Sequence, residues 1–86
     1  MSKNLRVLNI EDSERDVELI RRHLTRAGYS LTCERVETPS AMKEVLATRE
    51  WDVILCDYSM PQFSALAALE VLKKLSLDIP FIIISK

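Results

Sequence analysis

A parallel-sheet α/β fold is predicted for this chain of 86 residues by two features of its sequence. Short β-branched runs alternate with segments of helical spacing along the whole chain, and that alternation means right-handed crossovers between parallel strands. The runs VILC (53–56) and FIII (81–84) are apolar without interruption, as in strands covered by helices on both faces.

Each element has its own signal. Residues 5–10 (LRVLNI) read as the first strand. Asp12 and Ser13 offer N-cap oxygens to a helix over 13–27, where Val17, Ile20, Leu24 and Ala27 recur at helical spacing. Gly28 stands where a left-handed C-terminal cap is wanted. A second strand, 30–36, mixes Leu31, Cys33 and Val36 with polar partners. Thr38 and Pro39 cap and open a second helix over 39–49, with Ala41, Val45 and Leu46 as its apolar positions. The third strand is 52–57 (DVILCD). Ser64 caps a third helix over 64–75 that carries Leu66, Leu69, Leu72 and Leu75. Pro80 starts the last strand, 80–85. Four strands and three helices fill 86 residues, so a single domain is expected.

Composition excludes several functions. Apolar residues make up 48% and charged residues 29%, an ordinary globular balance. With a net charge of -1 there is no basic excess to hold a nucleic acid or an anionic membrane. No apolar run is long enough to span a bilayer, and the first residues do not open a signal peptide. The two cysteines make no disulfide framework, which fits a cytoplasmic protein with reduced thiols. A single glycine rules out Gly-rich phosphate loops, and a single histidine without paired cysteines rules out a structural zinc site.

The carboxylates form a pattern. Glu11 and Asp12 directly follow the first strand, and Asp57 ends the third. In a doubly wound sheet of flavodoxin-like order these strands are neighbours at the topological switch point, and their carboxyl ends open into one crevice. Three acids there repel one another, and an oxygen-only set favours a hard divalent cation, Mg2+ over zinc. A carboxylate beside such an ion can accept a phosphoryl group. Ser85, at the end of the fourth strand, brings a hydroxyl to the same rim. Any one acid alone reads better as an ordinary structural residue, Asp12 beside Ser13 as a helix cap above all. The convergence of three strand ends is what favours a site.

These residues resemble a known family. The strings VLNIEDSERD, VILCDYSMP and IPFIIIS look like the receiver domain of two-component response regulators, in order and spacing across essentially the whole chain. The resemblance implies that Asp57 is the phosphoacceptor, taking phosphate from a histidine kinase or phosphotransfer protein. It implies that Asp12 binds Mg2+ directly, that Glu11 acts largely through water, and that the backbone carbonyl of Ser59 completes the protein's share of the metal shell. Ser85 matches the switch hydroxyl, and Met60-Pro61 the loop after the acceptor. Such a domain is a signalling phosphoacceptor rather than an enzyme.

The chain departs from the family pattern in two places. Ala65, preceded by Phe63 and Ser64, stands where a glycine is usual, so a differently shaped loop is expected. Receivers also carry a fourth helix, a fifth strand and a fifth helix, so residues 1–86 read as the N-terminal part of one domain. Lys86 is not the family's phosphate-contacting lysine, which ends the fifth strand. An apolar last strand at a sheet edge recruits other chains, so a homo-oligomer through that strand is expected. A truncated receiver-like scaffold, self-associating and without phosphotransfer, is the alternative reading. A haloacid-dehalogenase-type phosphatase fits poorly, because Ser59 stands where its second Asp belongs. Other conspicuous residues read as structural: His23 and the cluster Arg21, Arg22 and Arg26 as a solvated helix face, Cys56 as a small core residue, Trp51 as an anchor far from the site.

Overall fold

The computed structural model describes residues 3–85. Its elements run β1 (Lys3–Ile10), α1 (Glu14–Arg26), β2 (Tyr29–Val36), α2 (Pro39–Thr48), β3 (Val53–Asp57), α3 (Ala65–Lys74) and β4 (Phe81–Ile84). All four strands are parallel in one sheet of order β2-β1-β3-β4. The order steps from β1 to β2 on one side and through β3 to β4 on the other, so the switch point lies between β1 and β3. Met1, Ser2 and Lys86 lie outside the described residues.

The expected element order holds throughout, and the ends differ for local reasons. β1 and β2 extend to Lys3 and Tyr29, which pair with each other. Ser13, Thr38 and Ser64 are N-caps rather than helical residues, each accepting from the backbone N–H three residues on. Gly28 adopts φ +99 and closes α1, its N–H donating to the Thr25 carbonyl. Proline cannot donate, yet the Pro80 carbonyl accepts from Ile54 N–H and continues the ladder just before β4.

Even positions of β1 and β3 build the core. Leu8, Ile10, Ile54 and Cys56 are fully buried against Met42 and Leu46 of α2 and Ala68, Val71 and Leu72 of α3. The four leucines of α3 divide: Leu72 is buried and Leu69 packs against the core, while Leu66 is 70% and Leu75 40% exposed. A three-residue spacing drifts about 60° per step around a helix of 3.6 residues per turn, so Leu66 and Leu75 leave the buried face that runs through Ala65, Ala68, Val71 and Leu72. β4 is not covered on both faces, since Ile82 and Ile83 are each about half exposed. α1 contributes no fully buried residue. Trp51 is buried at the N-terminal end of the sheet and donates its indole N–H to the Val45 carbonyl, closing α2 onto β3.

Candidate functional site

The sheet brings the acids together. Ile10 pairs with Cys56, so the next residue on each strand, Glu11 and Asp57, emerge side by side at the carboxyl ends of β1 and β3. With Asp12 they offer carboxylate oxygens that all lie within 4.8 Å of one another. Glu11 and Asp57 are each only 5% exposed, and Asp12 is exposed. Two buried carboxylates and a third at the opening make a pocket of one charge with an accessible mouth.

Backbone N–H groups orient two of the three. Ser13 N–H donates to Glu11 Oε1 over 3.1 Å, while the Ser13 hydroxyl caps α1 by accepting from Asp16 N–H. Ser59 N–H donates to Asp57 Oδ1 over 3.1 Å. Asp12, unlike Ser13, is not the α1 cap. Tyr58 N–H donates to the Ile84 carbonyl over 3.0 Å, which holds the end of β4 against the residue after Asp57. Ser85 follows directly and is exposed at the same rim. A cavity of about 250 Å³ adjoins Asp12, lined also by Glu37, Thr38, Met60, Pro61 and Gln62.

The donor set suits a hard divalent cation. All three ligating groups are carboxylates, which fits Mg2+ or a similar ion and not a thiophilic metal. Cys56, next to Asp57, is no exception: burial, with the charges of Asp57 and Glu11 adding to it, pushes its thiol up to about 11. It stays a neutral core residue at physiological pH.

One residue of the site was missed from the sequence. Arg35, the penultimate residue of β2, stands opposite Asn9 of β1 and sends its Nη1 to the main-chain carbonyl of Glu11 over 3.3 Å. The signal was present only in the strand register. The other residues set aside keep their structural roles: His23, Arg21, Arg22 and Arg26 are exposed on α1, and Cys56 and Trp51 are buried. Among the described residues no helix is long and apolar enough to cross a membrane.

Comparison with known proteins agrees with this geometry. The chain is similar to a response regulator, MaeR, solved bound to beryllium trifluoride: 22% identity, TM-score 0.78, over 99% of this chain and 67% of that one. It is similar also to FixJ-N, at 21% identity and TM-score 0.72, over 99% of this chain and 65% of that one. At these identities the likeness shows the fold, and the chain spans about two thirds of the length of both. No curated protein matches it. The response regulator receiver domain model matches residues 7–86, and with the flavodoxin-like sheet and its strand-end acids in place, the chain belongs to that family.

Proposed function

We propose that the chain is a phosphoacceptor receiver of a two-component system, in which Asp57 takes a phosphoryl group from a histidine kinase or phosphotransfer protein. The observation that carries this reading is the convergence of Glu11, Asp12 and Asp57 within 4.8 Å at the switch point of the sheet. A structural neighbour that binds beryllium trifluoride, an analogue of the phosphoryl group, supports it.

In this reading Asp12 and Asp57 would hold Mg2+ directly, Glu11 would act largely through water, and the Ser59 carbonyl would complete the protein's ligands. When bound, the ion screens the negative charge of donor and acceptor. A carboxylate oxygen of Asp57 attacks phosphorus, forming the O–P bond of an acyl phosphate. The P–N bond of the donor phosphohistidine breaks, and the leaving imidazole keeps that electron pair. Ser59 N–H, on Asp57 Oδ1, fixes the carboxylate's orientation during the attack. The Ser85 hydroxyl donates to the phosphoryl oxygen and so couples the modified site to β4. The chain turns over no separate substrate and acts in the cytoplasm as a signalling element, binding neither nucleic acid nor membrane.

Intact mass after incubation with Mg2+ and a small acyl-phosphate donor tests this, with Asp57→Asn as control. A single labile phosphoryl adduct, absent from the control, is the expected result. A folded chain that forms no adduct overturns it.

A further inference from the structure

Arg35 stands at the C-terminal end of β2 and spans the connection between β1 and α1. Its Nη1 donates to the Glu11 carbonyl over 3.3 Å and to Glu37 Oε2 over 3.2 Å, and its Nη2 donates to Glu14 Oε1 over 3.3 Å. The Arg35 side chain is 28% exposed, against 85% for Glu14 and 54% for Glu37, so the guanidinium is the sheltered centre of the cluster. Glu11 N–H donates to the Val36 carbonyl over 3.0 Å. Consecutive residues of β2 therefore hold both main-chain groups of Glu11, the N–H through Val36 and the carbonyl through Arg35. The peptide fixed in this way joins Glu11 to Asp12, two of the three converging carboxylates.

We propose that Arg35 is a positioning residue for the cation site, setting where Glu11 and Asp12 meet Asp57. The inference rests on the Mg2+ reading given above. Geometry rather than charge is the means. The guanidinium is paired with two carboxylates, Glu14 and Glu37, so its own repulsion of a cation is already offset. What it alone supplies is a planar fork that reaches a carbonyl and two acids at once, and the single ammonium of lysine does not reproduce that fork. Glu37 also lines the cavity beside Asp12, so the same guanidinium ties that wall to β2.

The test uses the whole chain with Arg35→Lys, Arg35→Gln and Asp12→Asn. Mg2+ affinity is read by displacement of Mn2+ in electron paramagnetic resonance, and urea unfolding is followed in chelator. Both Arg35 variants are expected to weaken Mg2+ by about tenfold, as losses of ligand-orienting partners do. A charge role would leave Arg35→Lys at the wild-type affinity and make Arg35→Gln bind more tightly, which overturns the proposal. Lowered unfolding midpoints with unchanged affinity of the folded chain overturn it as well, since Arg35 is then structural only. A wild-type chain that binds no better than Asp12→Asn removes the metal reading itself, and this inference with it.

Discussion

Arg6 and Asp52 clasp each other across β1 and the start of β3, at the end of the sheet remote from the acids. Arg6 N–H donates to Asp52 Oδ2 over 2.8 Å, Nε to the same oxygen over 3.2 Å, and Nη2 to Oδ1 over 3.1 Å. Asp52 N–H returns a bond to the Arg6 carbonyl over 2.9 Å. The guanidinium and backbone bonds from Arg6 hold the Asp52 carboxyl below its ordinary value of 3.8, and Asp52 in turn raises Arg6.

Asp52→Asn is accordingly expected to lower the thermal midpoint at neutral pH. A carboxyl depressed in the folded state contributes stability above its unfolded value, and that contribution is lost as pH falls through the lower folded value. The gap between wild type and variant should therefore stay constant above the ordinary carboxylate range and close below it. Melting curves by circular dichroism across acid pH check this. A gap that widens in acid, or none at neutral pH, would show that the clasp does not stabilise the fold.

The acidic site makes the opposite prediction for a carboxylate at the other end. Two unit charges 4.8 Å apart repel by about 1 kcal/mol in water and about 3 kcal/mol at an effective dielectric of 20. Asp57→Asn removes one charge and keeps the oxygen that accepts from Ser59 N–H. It is expected to stabilise the metal-free chain by about 1–3 kcal/mol. The variant should also lose most of the stabilisation that Mg2+ gives the wild type, about 2.7 kcal/mol at one hundred times the dissociation constant. Urea unfolding with Mg2+ and with chelator measures both effects.

The legible parts of this fold are those written in local sequence. Ser13, Thr38-Pro39, Ser64 and Gly28 mark helix ends through chemistry that acts within three or four residues, and all of them stand where that chemistry put them. Glu11, Asp12 and Asp57 were readable as a group because the switch point of a doubly wound sheet is fixed by strand order alone. Arg35 was not, since its partner carbonyl lies 24 residues away and only the β1–β2 register brings them together. Asn9 was hidden in an apolar run, yet it is 1% exposed and donates to the Glu34 carbonyl. On α3 the middle leucines, Leu69 and Leu72, face the core as their spacing suggested, while Leu66 and Leu75 fall off the buried face because a three-residue spacing drifts around the helix.

The C-terminus of α3 shows an end without its usual residue. Ser76 has φ 55, its N–H donates to the Lys73 carbonyl, and Leu77 N–H donates to the Leu72 carbonyl. This is the double-bonded left-handed cap that glycine normally occupies. The left-handed conformation costs a side-chain-bearing residue about 1–2 kcal/mol, partly offset by the greater chain entropy of glycine. Ser76→Gly should stabilise by about 0.5–1 kcal/mol. At Gly28 the argument reverses: nothing lies within 4 Å of an added Cβ, so Gly28→Ala should destabilise by the backbone cost alone, about 1 kcal/mol. Equal effects of the two substitutions on urea midpoints would contradict both assignments.

β4 carries the last prediction. It pairs with β3 on one side, and among the described residues no strand pairs with its outer edge. Ile82 and Ile83 point to opposite faces of the sheet and are 50% and 51% exposed, so the edge is apolar above and below. Unpaired backbone donors and acceptors flanked by apolar side chains add a strand from a second copy readily. The 86-residue chain is therefore expected to exceed the monomer mass in light scattering at high concentration. Ile82→Lys puts a charge on that edge without touching the hydrogen bonds to β3, and should return the chain to a monomer. A wild-type monomer would contradict edge pairing outright. An oligomer indifferent to Ile82→Lys would move the contact to another exposed apolar surface, such as that around Leu66, and leave β4 with no part in self-association.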